Sequence, residues 1–139
     1  MRLFLFLCLL LASCNSKEDK EKYNRQLYRA VNNKDTAVLD IHINNKRFYG
    51  RYEINHYGTG KDSGDVRGDL RGDTLRGDYH YISFGGAWKR VPLALLKKEN
   101  KLYLGKGVVG TYFNLPCYVP EVPIEYNNPE FLFEKIEKE

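Results

Sequence analysis

The feature that most limits the possible folds is a strict two-residue alternation across residues 36–54. Over 36–43, Leu39, Ile41 and Ile43 fall on one side while Val38, Asp40 and His42 fall on the other, which is the period of a half-buried strand. Asn44-Asn45 then suits a tight hairpin turn, because asparagine tolerates positive φ. On the returning stretch 47–54, Phe48, Gly50, Tyr52 and Ile54 meet those aliphatics, and Arg47, Tyr49, Arg51 and Glu53 face solvent.

Further strands are predicted at 65–70, 74–83, 87–96, 101–109 and 131–136, with polar or glycine-rich turns between most of them. Residues 23–31 fit two periods. Tyr23, Leu27, Ala30 and Val31 have helical spacing, yet 25–31 also alternate, and the Asn32-Asn33-Lys34-Asp35 turn favours a strand. Short, regularly spaced strands without helices imply a sandwich or barrel. The expected fold is therefore all-β: a small antiparallel up-and-down meander forming a closed or nearly closed, lipocalin-like β-barrel, because closure removes exposed edges. Pro116, Pro120, Pro123 and Pro129 forbid regular pairing, so 114–129 is expected to be an extended loop over the barrel's side or mouth, before the last strand.

Three Arg-Gly-Asp tripeptides, Arg67-Gly68-Asp69, Arg71-Gly72-Asp73 and Arg76-Gly77-Asp78, resemble the integrin-recognition motif. A hairpin turning at Gly72-Asp73, a pair able to adopt the positive φ of a primed turn, accounts for all of them. It sets Arg71 opposite Thr74, Leu70 opposite Leu75, Asp69 opposite Arg76, Gly68 opposite Gly77 and Arg67 opposite Asp78. Val66, Leu70, Leu75 and Tyr79 then share the buried face, and the outer face is expected to hold two ion pairs, Asp69 with Arg76 and Arg67 with Asp78. The inward glycines would permit a tight bend or close approach of another chain. Integrin binding through Arg71, Gly72 and Asp73 is not expected, the motif being hairpin chemistry.

At the N-terminus, Met1-Arg2 precedes an apolar run from Leu3 to Ala12, the pattern of a signal peptide. Ten such residues make a helix of roughly 15 Å, half of a ~30 Å hydrocarbon layer, so the run is too short to span. Leu11-Ala12-Ser13-Cys14 resembles the lipobox of bacterial lipoproteins, which implies cleavage between Ser13 and Cys14 and lipid on the Cys14 thiol. Each buried acyl methylene contributes about 0.8 kcal/mol of membrane affinity, so two or three chains anchor permanently. The polar stretch that follows reads as a tether, and its Lys17-Glu18-Asp19 resembles the tag of surface-exported Bacteroidetes lipoproteins. The expected organisation is a signal peptide at 1–13, a lipidated tether at 14–24 and a single barrel domain at 25–139, located at the outer membrane on its periplasmic face or the cell surface.

Removal of Arg2 lowers the formal charge from +4 to +3, with both signs interspersed, which makes no case for nucleic acid. Of three cysteines, Cys8 leaves with the signal and Cys14 is acylated, so Cys117 is alone and no intramolecular disulfide is expected. His42 shares a face with Asp40, and His80 with Asp78. They read as solvated strand residues, since no HxxxH or CxxC spacing accompanies them. Cys117 has no neighbour in sequence to lower its pKa. Gly58-Thr59-Gly60-Lys61 and Gly105-Lys106-Gly107 lack the spacing of a P-loop and read as turns or bulges. No catalytic residue, metal or cofactor is expected. Among eleven tyrosines and one tryptophan, Tyr52, Tyr79, Tyr81 and Trp88, with Arg90, are the candidate ligand-binding set, because Gly85-Gly86 could open a strand toward a cavity there.

Gly50-Arg51-Tyr52, Lys61-Asp62-Ser63-Gly64, Gly68, Gly72-Asp73-Thr74-Leu75 with Gly77-Asp78-Tyr79, and Trp88-Lys89-Arg90-Val91 together resemble a glycine-punctuated β-meander domain common in small Bacteroidetes lipoproteins. The resemblance spans about half of the chain and brings no activity with it. The expected function is non-catalytic: a membrane-anchored lipoprotein that binds a small apolar ligand or an envelope or host protein through its barrel. The competing expectation is a structural accessory subunit that docks on a larger outer-membrane complex.

Overall fold

The computed structural model describes residues 22–137; the expected signal peptide, Cys14 and the expected tether as far as residue 21 lie outside them. In chain order the strands are β1 (Asn24–Asn32), β2 (Asp35–Ile43), β3 (Arg47–His56), β4 (Gly60–Arg71), β5 (Thr74–Ile82), β6 (Trp88–Lys98), β7 (Lys101–Leu104), β8 (Val109–Tyr112), β9 (Leu115–Tyr118) and β10 (Leu132–Ile136). Eight of them close an antiparallel barrel in the order β1-β10-β7-β6-β5-β4-β3-β2, while β8 and β9 form a separate two-stranded sheet. No helix forms among the described residues.

The ambiguous first segment is a strand. It pairs with β2 from Asn24↔Ile43 to Asn32↔Asp35, which points Tyr28 and Ala30 into the core. Asn33 turns the chain at φ 55°. The next turn works differently from the sequence expectation. Neither Asn44 nor Asn45 has positive φ; instead the Asn44 Oδ1 accepts the backbone N–H of Lys46 at 2.9 Å and of Arg47 at 2.7 Å. A side chain mimicking a turn carbonyl does the work of left-handed backbone. The β2–β3 register sets Leu39, Ile41 and Ile43 opposite Tyr52, Gly50 and Phe48, as the alternation requires.

The β4–β5 hairpin has all five residue pairs that the alternation predicts, with Gly72 at φ 60° in the turn. Lys97 donates its backbone N–H to the Asp73 carbonyl at 2.7 Å and ties the tip to β6. The two expected ion pairs do not form among the described residues. Asp78 pairs instead with Arg90 of β6 at 3.6 Å, and the Arg76 guanidinium lies over the Tyr118 ring, 5.5 Å from its centroid. A long arginine reaches past its opposite residue when a neighbouring segment offers a better partner.

The inward glycines have a steric cause. A methyl group at Gly68 would lie 2.0 Å from the Arg76 carbonyl oxygen, and one at Gly77 would lie 1.9 Å from that of Arg67. The two glycines therefore let the sheet bend sharply where the barrel wall turns. Inside, Tyr28, Leu39, Ile41, Phe48, Val66, Leu75, Leu95, Leu102, Phe131 and Phe133 are buried and make one cluster.

Two boundaries depart from the sequence expectation. β4 starts at Gly60, five residues before 65, and the strand expected over 101–109 ends at Leu104. The proline-rich stretch is also not a plain loop, since it contains β9, paired with β8 from Val109↔Tyr118 to Tyr112↔Leu115. With a partner on one side only, β9 tolerates Pro116 as an edge strand does. Phe113 and Asn114 close this hairpin at φ 47° and 60°.

Candidate functional site

Of the five aromatic and basic residues singled out from sequence, three come together. Tyr52, Tyr79 and Tyr81 point into the barrel, with ring centroids 4.6 Å apart for Tyr52–Tyr79 and 4.3 Å for Tyr79–Tyr81, and Phe133 lies edge-on to Tyr52 at 5.7 Å. Such ring-to-ring packing fills this part of the interior. Burial raises the pKa of all three phenols, that of Tyr52 well above its ordinary value. Trp88 and Arg90 stand on the opposite face of the wall. They share the parity of Pro92 and Ala94, against the inward Val91, Leu93 and Leu95, so Trp88 is 64% exposed and lies 4.8 Å from the His80 ring.

His42 stacks on Tyr49 at 4.9 Å, while Asp40 takes two hydrogen bonds from Arg25, at 2.8 and 2.6 Å. The structure adds a histidine that sequence reasoning passed over. His56 Nε2 is 2.9 Å from Asp62 and Nδ1 is 3.8 Å from Asp35. Asp62 is buried, and its other oxygen accepts the backbone N–H of Phe84 at 2.8 Å. The early start of β4 explains the omission: carried back to Gly60, the alternation puts Asp62 on the inner face with Gly64 and Val66. Both nitrogens of His56 face carboxylates, and among the described residues no hydroxyl or thiol is hydrogen-bonded to the ring. No cluster of three metal-ligating side chains occurs among the described residues.

A large cleft lies outside the barrel. Residues 105–126 leave the end of β7, run through the β8–β9 hairpin and return across the outer face of β6. Lys106 and Glu125 exchange backbone hydrogen bonds at 2.8 Å, and Tyr118 donates its hydroxyl to the Pro92 carbonyl at 3.3 Å. Gly105 and Gly107 permit this closeness, since a methyl group at either would strike Ile124, Tyr126 or Tyr118 within 2.8 Å. Beneath the flap, Ala94 is fully buried although it points outward.

Between flap and wall opens a cleft of about 790 Å³. Its apolar side is made by Tyr112, Tyr118, Val119, Val122, Ile124 and Tyr126 with Pro120 and Pro123; Arg71 and Arg76 of the β4–β5 hairpin border it, and the half-buried Cys117 also lines it. This is the size and character of a small-molecule site. Burial raises the Tyr118 phenol, helped by Tyr126 and opposed by Arg76. Next to the cleft the flap leaves large apolar surface in water, with Phe113 81% exposed and Tyr112, Leu115, Val108 and Val109 beside it.

Fold and site together define a closed eight-stranded antiparallel barrel that carries an external flap and a cleft. Comparison with protein-family models, with curated proteins and with solved structures gives no match.

Proposed function

We propose that this chain is a non-catalytic, outer-membrane lipoprotein, anchored through Cys14, that binds a small apolar ligand in the cleft between its barrel wall and its flap. The carrying observation is the cleft: about 790 Å³, walled by aromatic and aliphatic side chains, beside a barrel whose own tyrosines are packed against one another. With Tyr52, Tyr79 and Tyr81 stacked against one another inside the barrel, the reading puts binding on the outside of the wall. Membrane attachment rests on the Leu11-Ala12-Ser13-Cys14 motif, which lies outside the described residues.

The test uses N-phenyl-1-naphthylamine, a neutral apolar dye that brightens in apolar sites. Saturable binding of one dye per chain is expected, weakened at least about tenfold by Val122→Asp, because a carboxylate on the cleft wall must be desolvated. Val122 is 38% exposed, so the substitution leaves the fold intact, as circular dichroism checks. Binding that is absent, or untouched by Val122→Asp, overturns the reading. In the same strain background, Cys14→Ser should abolish lipid labelling and detergent-phase partitioning; unchanged partitioning removes the anchor.

The exposed apolar tip supports a second reading, an accessory subunit that docks on a larger envelope complex through Tyr112, Phe113 and Leu115. A photo-crosslinking residue at position 113 separates the two. One protein adduct of constant mass in intact cells favours docking, and its absence alongside dye binding favours the ligand.

A further inference from the structure

We infer that the cleft's ligand is an amphipathic anion with a single head, its apolar body held under the flap and its head between Arg71 and Arg76. The inference rests on the cleft being the binding site and adds the class of ligand. Two hollows meet at the foot of the flap. The apolar one is the cleft of about 790 Å³; the other, of about 500 Å³, lies over the outer face of the β4–β5 hairpin and is bordered by Arg67, Asp69 and Asp78. Both hollows touch Arg71, Arg76, Cys117 and Tyr118. The two guanidinium groups therefore stand at the seam between an apolar lobe and a polar one, where the head of an amphiphile would come to rest.

The charges favour an anion there. Asp78 is engaged by Arg90 at 3.6 Å, no ion pair within 4 Å joins Arg71 or Arg76 to a carboxylate among the described residues, and the one remaining carboxylate on the polar hollow, Asp69 opposite Arg76, is outnumbered by Arg67, Arg71 and Arg76. Arg76 is already oriented by the Tyr118 ring beneath it, 5.5 Å from the centroid, so its planar donors need little further ordering to meet a ligand. A guanidinium matches the two oxygens of a carboxylate with paired hydrogen bonds, and beside apolar walls such a bond is stronger than in open water. A neutral ligand forgoes this contact and a cationic one is repelled. The lobes allow one body and one head.

Competition against N-phenyl-1-naphthylamine reads the preference directly, using three ten-carbon probes: decanoate, 1-decanol and decylammonium. Decanoate is expected to displace the dye at a concentration at least about tenfold below that of 1-decanol, with decylammonium weaker than both. In Arg71→Gln and in Arg71→Gln/Arg76→Gln the decanoate advantage should fall stepwise to under about twofold while 1-decanol is unchanged, which shows the cleft still standing. Should the double change also disturb 1-decanol by freeing Tyr118, the single Arg71→Gln change decides, with a loss of about threefold or more for decanoate alone. Equal displacement by decanoate and 1-decanol overturns this inference while leaving the cleft as a site. A decanoate preference that survives both variants overturns it too, and failure of the dye to bind removes the site and the inference together.

Discussion

Tyr52 and Tyr79 lie side by side in the barrel, and their hydroxyls have opposite fates. Tyr79 donates to the Tyr52 carbonyl at 3.0 Å, whereas the Tyr52 hydroxyl is buried and meets no partner among the described residues. Tyr79→Phe should therefore cost about 1 kcal/mol, and Tyr52→Phe should raise stability by a similar amount, about 1 kcal/mol, because it removes a desolvated group that makes no bond. Urea unfolding of the two variants reads both; a clear loss in Tyr52→Phe would show that the hydroxyl is bonded in solution. That both tyrosines face inward was legible from the period of two. Which hydroxyl finds a carbonyl was not, because it depends on how two rings stagger across the β3–β4–β5 sheet, a distance no pattern encodes. His56 shows the same limit: its partners Asp35 and Asp62 come from two neighbouring strands, and only their exact registers bring them together.

At the scale of elements, the β4–β5 hairpin was readable pair by pair because one turn fixes every register beyond it. Its glycines are the constraint that the turn cannot show. Gly68→Ala would force a methyl group into the Arg76 carbonyl, 2.0 Å away, so the bent sheet must open; a loss of about 3 kcal/mol is expected in urea unfolding, comparable with severe overpacking. A near-neutral Gly68→Ala would mean that the wall is not bent there. The flap was less legible. Its prolines read as loop, and a two-stranded sheet made only of edges escapes the rule that excludes proline from paired strands. A signal for it did exist in β6, where Pro92, Ala94 and Leu96 make the outer face as apolar as the inner face of Val91, Leu93 and Leu95. A strand that is apolar on both sides is covered on both sides. The cover is the flap, and with it comes the cleft that the sequence-derived set of Tyr52, Tyr79, Tyr81, Trp88 and Arg90 does not include.

For the molecule as a whole, closure depends on the last strand. β10 inserts between β1 and β7, pairing Leu27 with Ile136 and Leu102 with Phe133, and it carries a ring that is fully shielded from solvent. The need to remove edges was legible in advance, as was a crossing of the barrel's side or mouth by 114–129 before the last strand; that the crossing starts at 105, contains β8 and β9 and packs on Ala94 through Tyr118 was not, since it follows from tertiary packing. Closure around tyrosines also gives the barrel a pH signature. Burial raises the phenols of Tyr52 and Tyr79 above their ordinary 10.0, for Tyr52 by a wide margin. Below pH 10 both are neutral in the folded and unfolded states, and stability does not depend on them. Above it the unfolded chain loses these protons while the folded barrel holds them, so ionisation draws the equilibrium toward unfolding until the folded phenols themselves titrate. Each should add a downward slope of about 1.4 kcal/mol per pH unit once pH passes the unfolded value. Urea midpoints are thus expected to be insensitive to these two groups between pH 7 and about 9.5 and to fall steeply above about 10. The fall should flatten in Tyr52→Phe/Tyr79→Phe, in which neither site can ionise. An equally steep fall in that variant would assign the alkaline limit to Tyr28, Tyr81 or Tyr118, whose phenols are also raised by burial.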